Sequence, residues 1–336
     1  MTLMRAQVIR RFGGPDVFEP AELPKPEVLP GHVLIRVAAT SVNPIDQKIR
    51  SGMVPALAPD LPAVLHGDVA GVIEAVGEGV KEFKEGDHVF ACAGGFKNTR
   101  GGALADYLLA PASLVALKPK NLSWREAAAL PLVTITAWEA LYERARIRPG
   151  QSVLVHGGTG GVGHVAVQLA KAAGARVFTT VSTPEKAEWA KKLGADEIIP
   201  YREKQVTEYV KECTGGKGFD VVFDTVGGAN IDRSFEAVKI GGTVVGIATR
   251  STHDLTPMHS KGLTLHVVFM ILPVLTGEGL ERHGAILREA AKLVEEQKLK
   301  PLLDPTDFKV SQVADAHRRL ESGQMIGKIT LMNDSF

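Results

Sequence analysis

The 336-residue chain is long enough for two domains with substantial cores, and its 45% hydrophobic and 23% charged content is ordinary for a globular protein. A formal net charge of +1 gives no global reason to expect nucleic acid or an anionic membrane as partner. Two cysteines, Cys92 and Cys213, make neither a disulfide framework nor a four-cysteine zinc site, so a reducing cytoplasm is expected.

The opening Met-Thr-Leu-Met-Arg-Ala-Gln lacks the apolar core of a signal peptide. Residues 1–128 read as β-rich. Pro15, Pro20, Pro24, Pro26 and Pro30 punctuate an extended lead-in, because proline continues neither a helix nor a central ladder. Short β-branched runs follow at 33–38, 69–76, 88–91 and 107–110, with Gly77, Gly79 and Gly86 as turn residues between them. A small irregular barrel is expected.

Between residues 129 and 271 the pattern changes to alternating strands and helices. Strands are expected at 152–156, 176–181, 197–199, 220–224, 243–247 and 263–269, and helices at 162–173, 184–193, 203–213 and 230–238. Each strand is a short continuous apolar run, as in a parallel sheet covered on both faces. Thr183 suits a helix cap, Pro184 a first turn, and Gly174 and Gly194 helix exits. Six strands with intervening crossovers predict an α/β, doubly wound, Rossmann parallel sheet. The apolar stretch 267–275 is too short to span a membrane and contains Pro273. The wider run Leu263–Leu275 is too apolar for an exposed edge strand, so a second copy is expected to cover it. Residues 272–336 predict two amphipathic helices, near 281–297 and 311–322, and a closing strand at Lys328–Met332.

The most informative segment lies at the first of the six strands. After Val153–Val155 the chain reads His-Gly-Gly-Thr-Gly-Gly-Val-Gly, and Gly158, Gly160 and Gly163 stand at the G-x-G-x-x-G spacing. The first permits a tight turn, the second lets backbone approach a pyrophosphate, and the third allows close helix–strand packing. Unpaired amides at the N-terminus of the helix that starts near Val162 then face the phosphates, and the helix dipole adds to the attraction. In sheets that bind NAD, an acidic residue ends the second strand and holds the ribose 2′-hydroxyl. Here that position offers Ser182 and Thr183, with Lys186 one turn onward. Hydroxyls and an ammonium suit a 2′-phosphate, which a carboxylate would repel. Tyr201 and Arg202 close the third strand within reach of the same ribose, whereas Glu185 reads as a first-turn helix charge. The expected cofactor is NADPH.

Further motifs run along the whole chain: Asn43-Pro-Ile-Asp46 with Arg50-Ser-Gly52, Gly67-Asp-Val-Ala-Gly71, Gly101-Gly-Ala-Leu-Ala-Asp-Tyr107, Leu130-Pro-Leu-Val-Thr-Ile-Thr-Ala-Trp138, Asp224-Thr-Val-Gly227 and Gly327-Lys-Ile-Thr-Leu331. In this order, with the glycine turn, they resemble the medium-chain dehydrogenase/reductase superfamily in its zinc-independent, zeta-crystallin-like quinone oxidoreductase branch. The resemblance implies a GroES-like β-rich catalytic domain, residues 1–128 and 272–336, split around a Rossmann dinucleotide-binding domain, residues 129–271. It implies an active site in the cleft between them, and a homodimer. It would place Thr136 at the nicotinamide carboxamide, Gly160, Gly161 and Val162 at the pyrophosphate, and Ser182, Lys186, Tyr201 and Arg202 at the 2′-phosphate. Backbone from Ile247 to Thr249 would line the nicotinamide face, and Asn43 would sit beside the reacting ring.

Zinc-dependent relatives need a cysteine near Asn43, a His-Glu pair near Gly67 and a four-cysteine structural lobe. This chain has no cysteine near Asn43, Asp68 in place of the pairing, and only Cys92 between residues 91 and 101. His66 stands one position out of place and reads as a packed histidine; no metal is expected. Without a Lewis acid to stabilise an alkoxide, the substrate must already be electrophilic. Quinones and α,β-unsaturated carbonyls qualify, since conjugation spreads the hydride's charge onto a carbonyl oxygen and the protein need only orient and hydrogen-bond. Many relatives carry a tyrosine after the Arg-x-Gly element, where this chain has Met53-Val-Pro55. The proton then comes from solvent or from another donor, for which Lys97, Asn98 and Arg100, on a glycine-flanked loop, are the candidates. Two competing functions are an enoyl or acryloyl thioester reductase, using Lys48, Arg50, Lys97 and Arg100 for coenzyme A phosphates, and a low-turnover NADPH-binding structural or RNA-binding protein. Against the last, the chain has no aromatic-basic stripe.

Overall fold

The computed structural model describes residues 2–336, which form two compact units. One runs to Leu132 and resumes at Ile271–Gln297 and Pro301–Phe336; the other is Val133–Met270 with Lys298–Lys300. The second unit claims that last tripeptide through a reciprocal pair of bonds. The Gln168 amide donates to Lys300 O at 2.8 Å and accepts from Lys300 N at 2.9 Å.

The first unit opens with an antiparallel ribbon of β1 (Leu3–Ile9) and β2 (Phe18–Pro24), where an extended lead-in without a pairing partner was expected. Pro20 and Pro24 are tolerated in β2 because both strands of a two-stranded ribbon are edges. Then follow β3 (His32–Ser41), α1 (Pro44–Arg50), β4 (Asp68–Val76), β5 (His88–Cys92), β6 (Tyr107–Pro111), β7 (Val115–Leu117) and α2 (Trp124–Ala128). β3 is the spine, pairing antiparallel with β4 and β6. Gly71 lets β4 cross it closely, since a Cβ there would lie 2.2 Å from Arg36 O. The boundary at Leu132 falls inside α3 (Pro131–Trp138).

The second unit is a six-stranded parallel sheet of β8 (Ser152–His156), β9 (Arg176–Val181), β10 (Glu197–Pro200), β11 (Phe219–Asp224), β12 (Val238–Gly246) and β13 (Thr264–Val267), in the order β10-β9-β8-β11-β12-β13. Between the strands run α4 (Gly161–Ala172), α5 (Pro184–Lys192), α6 (Val206–Thr214), α7 (Asn230–Ala237) and α8 (Thr256–Lys261). This is the doubly wound Rossmann sheet the alternation predicted. Leu154, Phe178, Phe219, Val222, Phe235 and Val244 are fully buried in one core layer, with the Phe178 and Phe219 rings edge-on at 4.9 Å.

Three elements of the second unit depart most from expectation, and in the first unit the closing strand begins at Thr330, two residues later than expected. β12 starts five residues early because its register on β11 shifts between Phe219 and Val221, and Gly241 (φ +67°) absorbs the irregularity. β13 stops at Val267, not 269, and the chain then turns into α9 (Leu272–Thr276), where Pro273 suits a first helical turn. α6 begins three residues late: Gln205 caps it by donating its N–H to Glu208 Oε2 at 2.7 Å, which leaves 201–204 as a turn.

The first unit closes with α10 (Leu280–Glu295), β14 (Phe308–Lys309), α11 (Val313–Glu321) and β15 (Thr330–Met332). β15 pairs antiparallel with β3 and carries β14, completing the GroES-like sheet. Among the described residues no helix is long and apolar enough to cross a membrane.

Candidate functional site

The glycine turn distributes its tasks differently from the G-x-G-x-x-G expectation. The left-handed residue that makes the tight turn is Gly157 (φ +73°), outside the motif. Gly158 is required for another reason: a Cβ there would lie 2.0 Å from Thr179 Oγ1 on β9. A Cβ on Gly163 would lie 2.0 Å from Gly157 O, so helix and turn pack as the motif requires. Gly160 is more open, with only Gly157 O near the position of a Cβ, at 3.2 Å. α4 then starts at Gly161, and its first-turn amides have no intrahelical acceptors.

Beside this turn lies a cavity of about 750 Å³, entirely within the second unit. Gly160, Ser182, Lys186, Tyr201 and Arg202 all line it. The Thr183 side chain caps α5 by accepting the Lys186 N–H at 3.3 Å, which sets Ser182 just before the helix and Lys186 in its first turn. Tyr201 and Arg202 belong to the turn that the late start of α6 creates, not to the third strand. Four cations line the cavity, Lys186, Arg202, Lys204 and Arg233, with no Asp or Glu among the described lining residues. Lys204 is partly committed, through an ion pair with Glu212.

The opposite wall is shaped by Asp224, buried at the end of β11. Its Oδ1 accepts the Val226 and Gly227 N–H groups, both at 2.8 Å. Its Oδ2 accepts from Asn230 Nδ2 at 2.9 Å and Ser234 Oγ at 2.7 Å. This carboxylate is consumed in holding the Thr225–Gly228 turn against α7.

Sequence reasoning missed His156, Lys204, Asn230 and Arg233, all of which line the cavity. The period-2 alternation of β8 could have pointed to His156, a polar residue where an apolar one would suffice. Arg233 carries no motif; only the fold brings α7 beside the glycine turn. Other expected contacts do not line this cavity: Thr136, buried in α3, and Ile247 and Thr249 after β12. Beyond Thr249 the chain is tied to α7 by a hydrogen-bonded series. The Ser251 hydroxyl lies 2.5 Å from His253 Nε2, and His253 Nδ1 lies 2.8 Å from Asp232 Oδ1.

Asn43 sits in the first unit, at the head of α1, and is buried. Its Nδ2 donates to Asp68 Oδ2 at 2.8 Å and its Oδ1 accepts from Lys328 Nζ at 2.5 Å. Asp68 also accepts from Ser41 Oγ at 2.7 Å and from the Leu132 N–H at 2.8 Å. Lys328, itself buried, donates to Val42 O at 2.9 Å and lies 3.6 Å from Asp68. Asp46 accepts the Asn43 N–H at 2.7 Å; burial pushes its carboxyl up to about 7, with the Asp68 charge adding to the effect. The Asn43 amide is therefore held at both ends.

His66 is packed, with its Nε2 3.0 Å from His317 Nε2. Burial holds both imidazoles neutral, His66 well below its usual range and His317 down to about 3. Among the described residues, no three His, Cys, Asp or Glu side chains gather as a metal site. On the 96–100 loop the Asn98 amide is already engaged, donating to Leu275 O at 2.7 Å; Lys97 and Arg100 are exposed.

Residues 29–120 match the family described as the alcohol dehydrogenase GroES-like domain, and residues 161–277 the zinc-binding dehydrogenase family. The chain is 33% identical to a human quinone oxidoreductase over 98% of both chains. It is 36% identical to an NADPH-dependent alkenal/one oxidoreductase of Arabidopsis thaliana, covering 98% of this chain and 79% of that one. The crystal structure of an alcohol dehydrogenase superfamily protein from Novosphingobium aromaticivorans superposes with a TM-score of 0.93 at 41% identity, over 98% of this chain and 99% of that one.

Proposed function

The chain belongs to the zinc-independent quinone oxidoreductase branch of the medium-chain dehydrogenase/reductase superfamily, and from that premise we propose that it reduces quinones or α,β-unsaturated carbonyls with NADPH. One observation carries the choice of cofactor: Ser182, Lys186, Tyr201 and Arg202 converge on a carboxylate-free cavity beside the glycine turn. An acidic residue there would select a free 2′-hydroxyl; hydroxyls and cations select a 2′-phosphate. The residues fit such a group, because the open face of Gly160 and the first-turn amides of α4 leave donors for a pyrophosphate.

When bound, the dinucleotide supplies a hydride. The chain's own part is to bind, to orient and to offer donors. Gly160, Gly161 and Val162 hold the pyrophosphate, Gly158 and Gly163 shape the turn, and Ser182, Lys186, Tyr201 and Arg202 hold the 2′-phosphate. Thr136 and the Ile247–Thr249 backbone serve the nicotinamide end. Asn43, fixed by Asp68 and Lys328, stands beside the reacting ring. With no cysteine near Asn43 and no His-Glu pair near Gly67, the acceptor must bring its own electrophilicity, as quinones and enones do.

The test is oxidation of NADPH and NADH by 1,2-naphthoquinone, an alkenal and an acryloyl thioester in parallel. Turnover with the first two, faster with NADPH, is the expected outcome. Turnover with the thioester alone would reassign the substrate, and tight NADPH binding with no turnover would point to a binding protein. The chain's two free cysteines, Cys92 buried and Cys213 half-buried, support a reducing cytoplasm. We further propose a homodimer. β13 is an edge strand, and it exposes Val267 (49%) and, just beyond it, Phe269 (46%).

A further inference from the structure

We propose that His156 is a ligand of the dinucleotide's adenosine half, donating a hydrogen bond from Nε2 to a ribose or phosphate oxygen; this rests on the NADPH function proposed above. His156 is the last residue of β8. Strand alternation puts it on the same face as Leu154, which is buried against the core layer, but at the carboxyl edge of the sheet, where doubly wound folds bind ligands. It is 3% exposed, yet it lines the cavity alongside Gly157, Gly160 and Lys186. An apolar side chain would fill that position at no desolvation cost. A polar ring there needs partners.

One ring nitrogen has a partner within the protein. Thr180 Oγ1 lies 3.4 Å from His156 Nδ1 and accepts the Gly157 N–H at 3.0 Å. The hydroxyl keeps a second lone pair and a hydrogen that no other described residue accepts; donated to Nδ1, that hydrogen leaves the ring proton on Nε2. Nε2 is buried and has no hydrogen-bond partner in the protein. The charged groups that face the ring are Asp224 on β11 and Arg233 on α7. Asp224 has both oxygens filled by Val226, Gly227, Asn230 and Ser234, so it accepts nothing from His156. Burial, with Arg233 adding to it, pushes the imidazole down to about 4, so the ring is neutral and carries a single N–H. A buried donor on a residue that lines a cavity calls for an acceptor from the occupant, and sugar and phosphate oxygens are acceptors.

Three substitutions separate this from a packing role. Gln carries an amide nitrogen near the position of Nε2, Asn reaches only as far as Nδ1, and Phe fills the volume with no nitrogen. Full-length wild type and each variant are titrated calorimetrically with NADPH, 2′,5′-ADP and 5′-AMP, with thermal melts alongside. His156→Phe and His156→Asn are expected to weaken binding of all three by about tenfold, the loss of one hydrogen bond to a polar or charged acceptor, while His156→Gln retains most of it. Unchanged affinity in His156→Phe, or equal losses in the Gln and Asn variants, would overturn the proposal. Should the variants not fold, nitrogen NMR of the wild-type imidazole decides. Saturation with 2′,5′-ADP is expected to shift the His156 Nε2 resonance, and no shift refutes the contact. The two proposals fail separately: 2′,5′-ADP binding no tighter than 5′-AMP sinks the 2′-phosphate selection and leaves His156 standing. Wild type that binds none of the three sinks both.

Discussion

At the scale of single residues, cofactor choice and catalysis rest on a few side chains whose removal has separable effects. Lys186→Glu is expected to weaken NADPH binding by about ten- to hundredfold, the loss of a charged contact to phosphate, and to leave NADH nearly untouched. Equal losses in the two titrations would mean that Lys186 does not face the phosphate. Gly160→Val should abolish binding of both cofactors without unfolding the protein, because the Cβ at that position meets only Gly157 O at 3.2 Å. Lys328→Met tests the buried network around Asn43. It leaves Asp68 without its ammonium, so a destabilisation of roughly 3–5 kcal/mol is expected in denaturant titrations. Of these residues, Lys186 and Gly160 were legible in the sequence, since a motif at fixed spacing names them. The partnership of Lys328 with Asn43 was not. The two are 285 positions apart, and no local pattern marks a buried lysine.

Elements are where local propensity and tertiary context disagree most. β8 and β9 have the bounds that their apolar runs predicted, because a strand covered on both faces leaves a continuous hydrophobic signature. The α6 start was misjudged: helical periodicity reaches back over 203–205, but the Gln205–Glu208 cap holds the first turn later. That delay gathers Tyr201, Arg202 and Lys204 on one turn, and so it builds a wall of the cavity. β13 was overestimated because an apolar run alone cannot tell strand from helix, and Pro273 settles the change of direction. What remains of β13 is still a short apolar edge. Phe269→Lys is expected to convert a homodimer into a species of the 35.9 kDa chain mass in size-exclusion chromatography. Wild type already eluting at that mass would remove the dimer proposal.

For the molecule as a whole, the buried histidines set the response to acid. His66, His156 and His317 have folded-state values below the ordinary 6.5, so between about 4 and 6.5 the unfolded chain binds more protons than the folded one. Their stabilising contribution is present above 6.5 and is lost as pH falls. Asp46 works the other way: raised to about 7, it holds its proton in the folded state, and its contribution is lost as pH rises through that value. Three groups outweigh one, so stability should fall on acidification from pH 6.5. His317→Phe should flatten the slope in pH-dependent urea melts, and an unchanged slope would rule out His317 as a titrating group. The sequence by itself determined the sheet class, the dinucleotide turn, the missing zinc ligands and the candidate 2′-phosphate side chains. Each is a matter of residue type at short spacing. Only the tertiary structure decided which glycine turns the chain, that Arg233 and His156 join the cavity, and that Lys328 holds Asn43. Those depend on side chains tens to hundreds of residues apart, brought together by crossovers and strand pairing that leave no local trace.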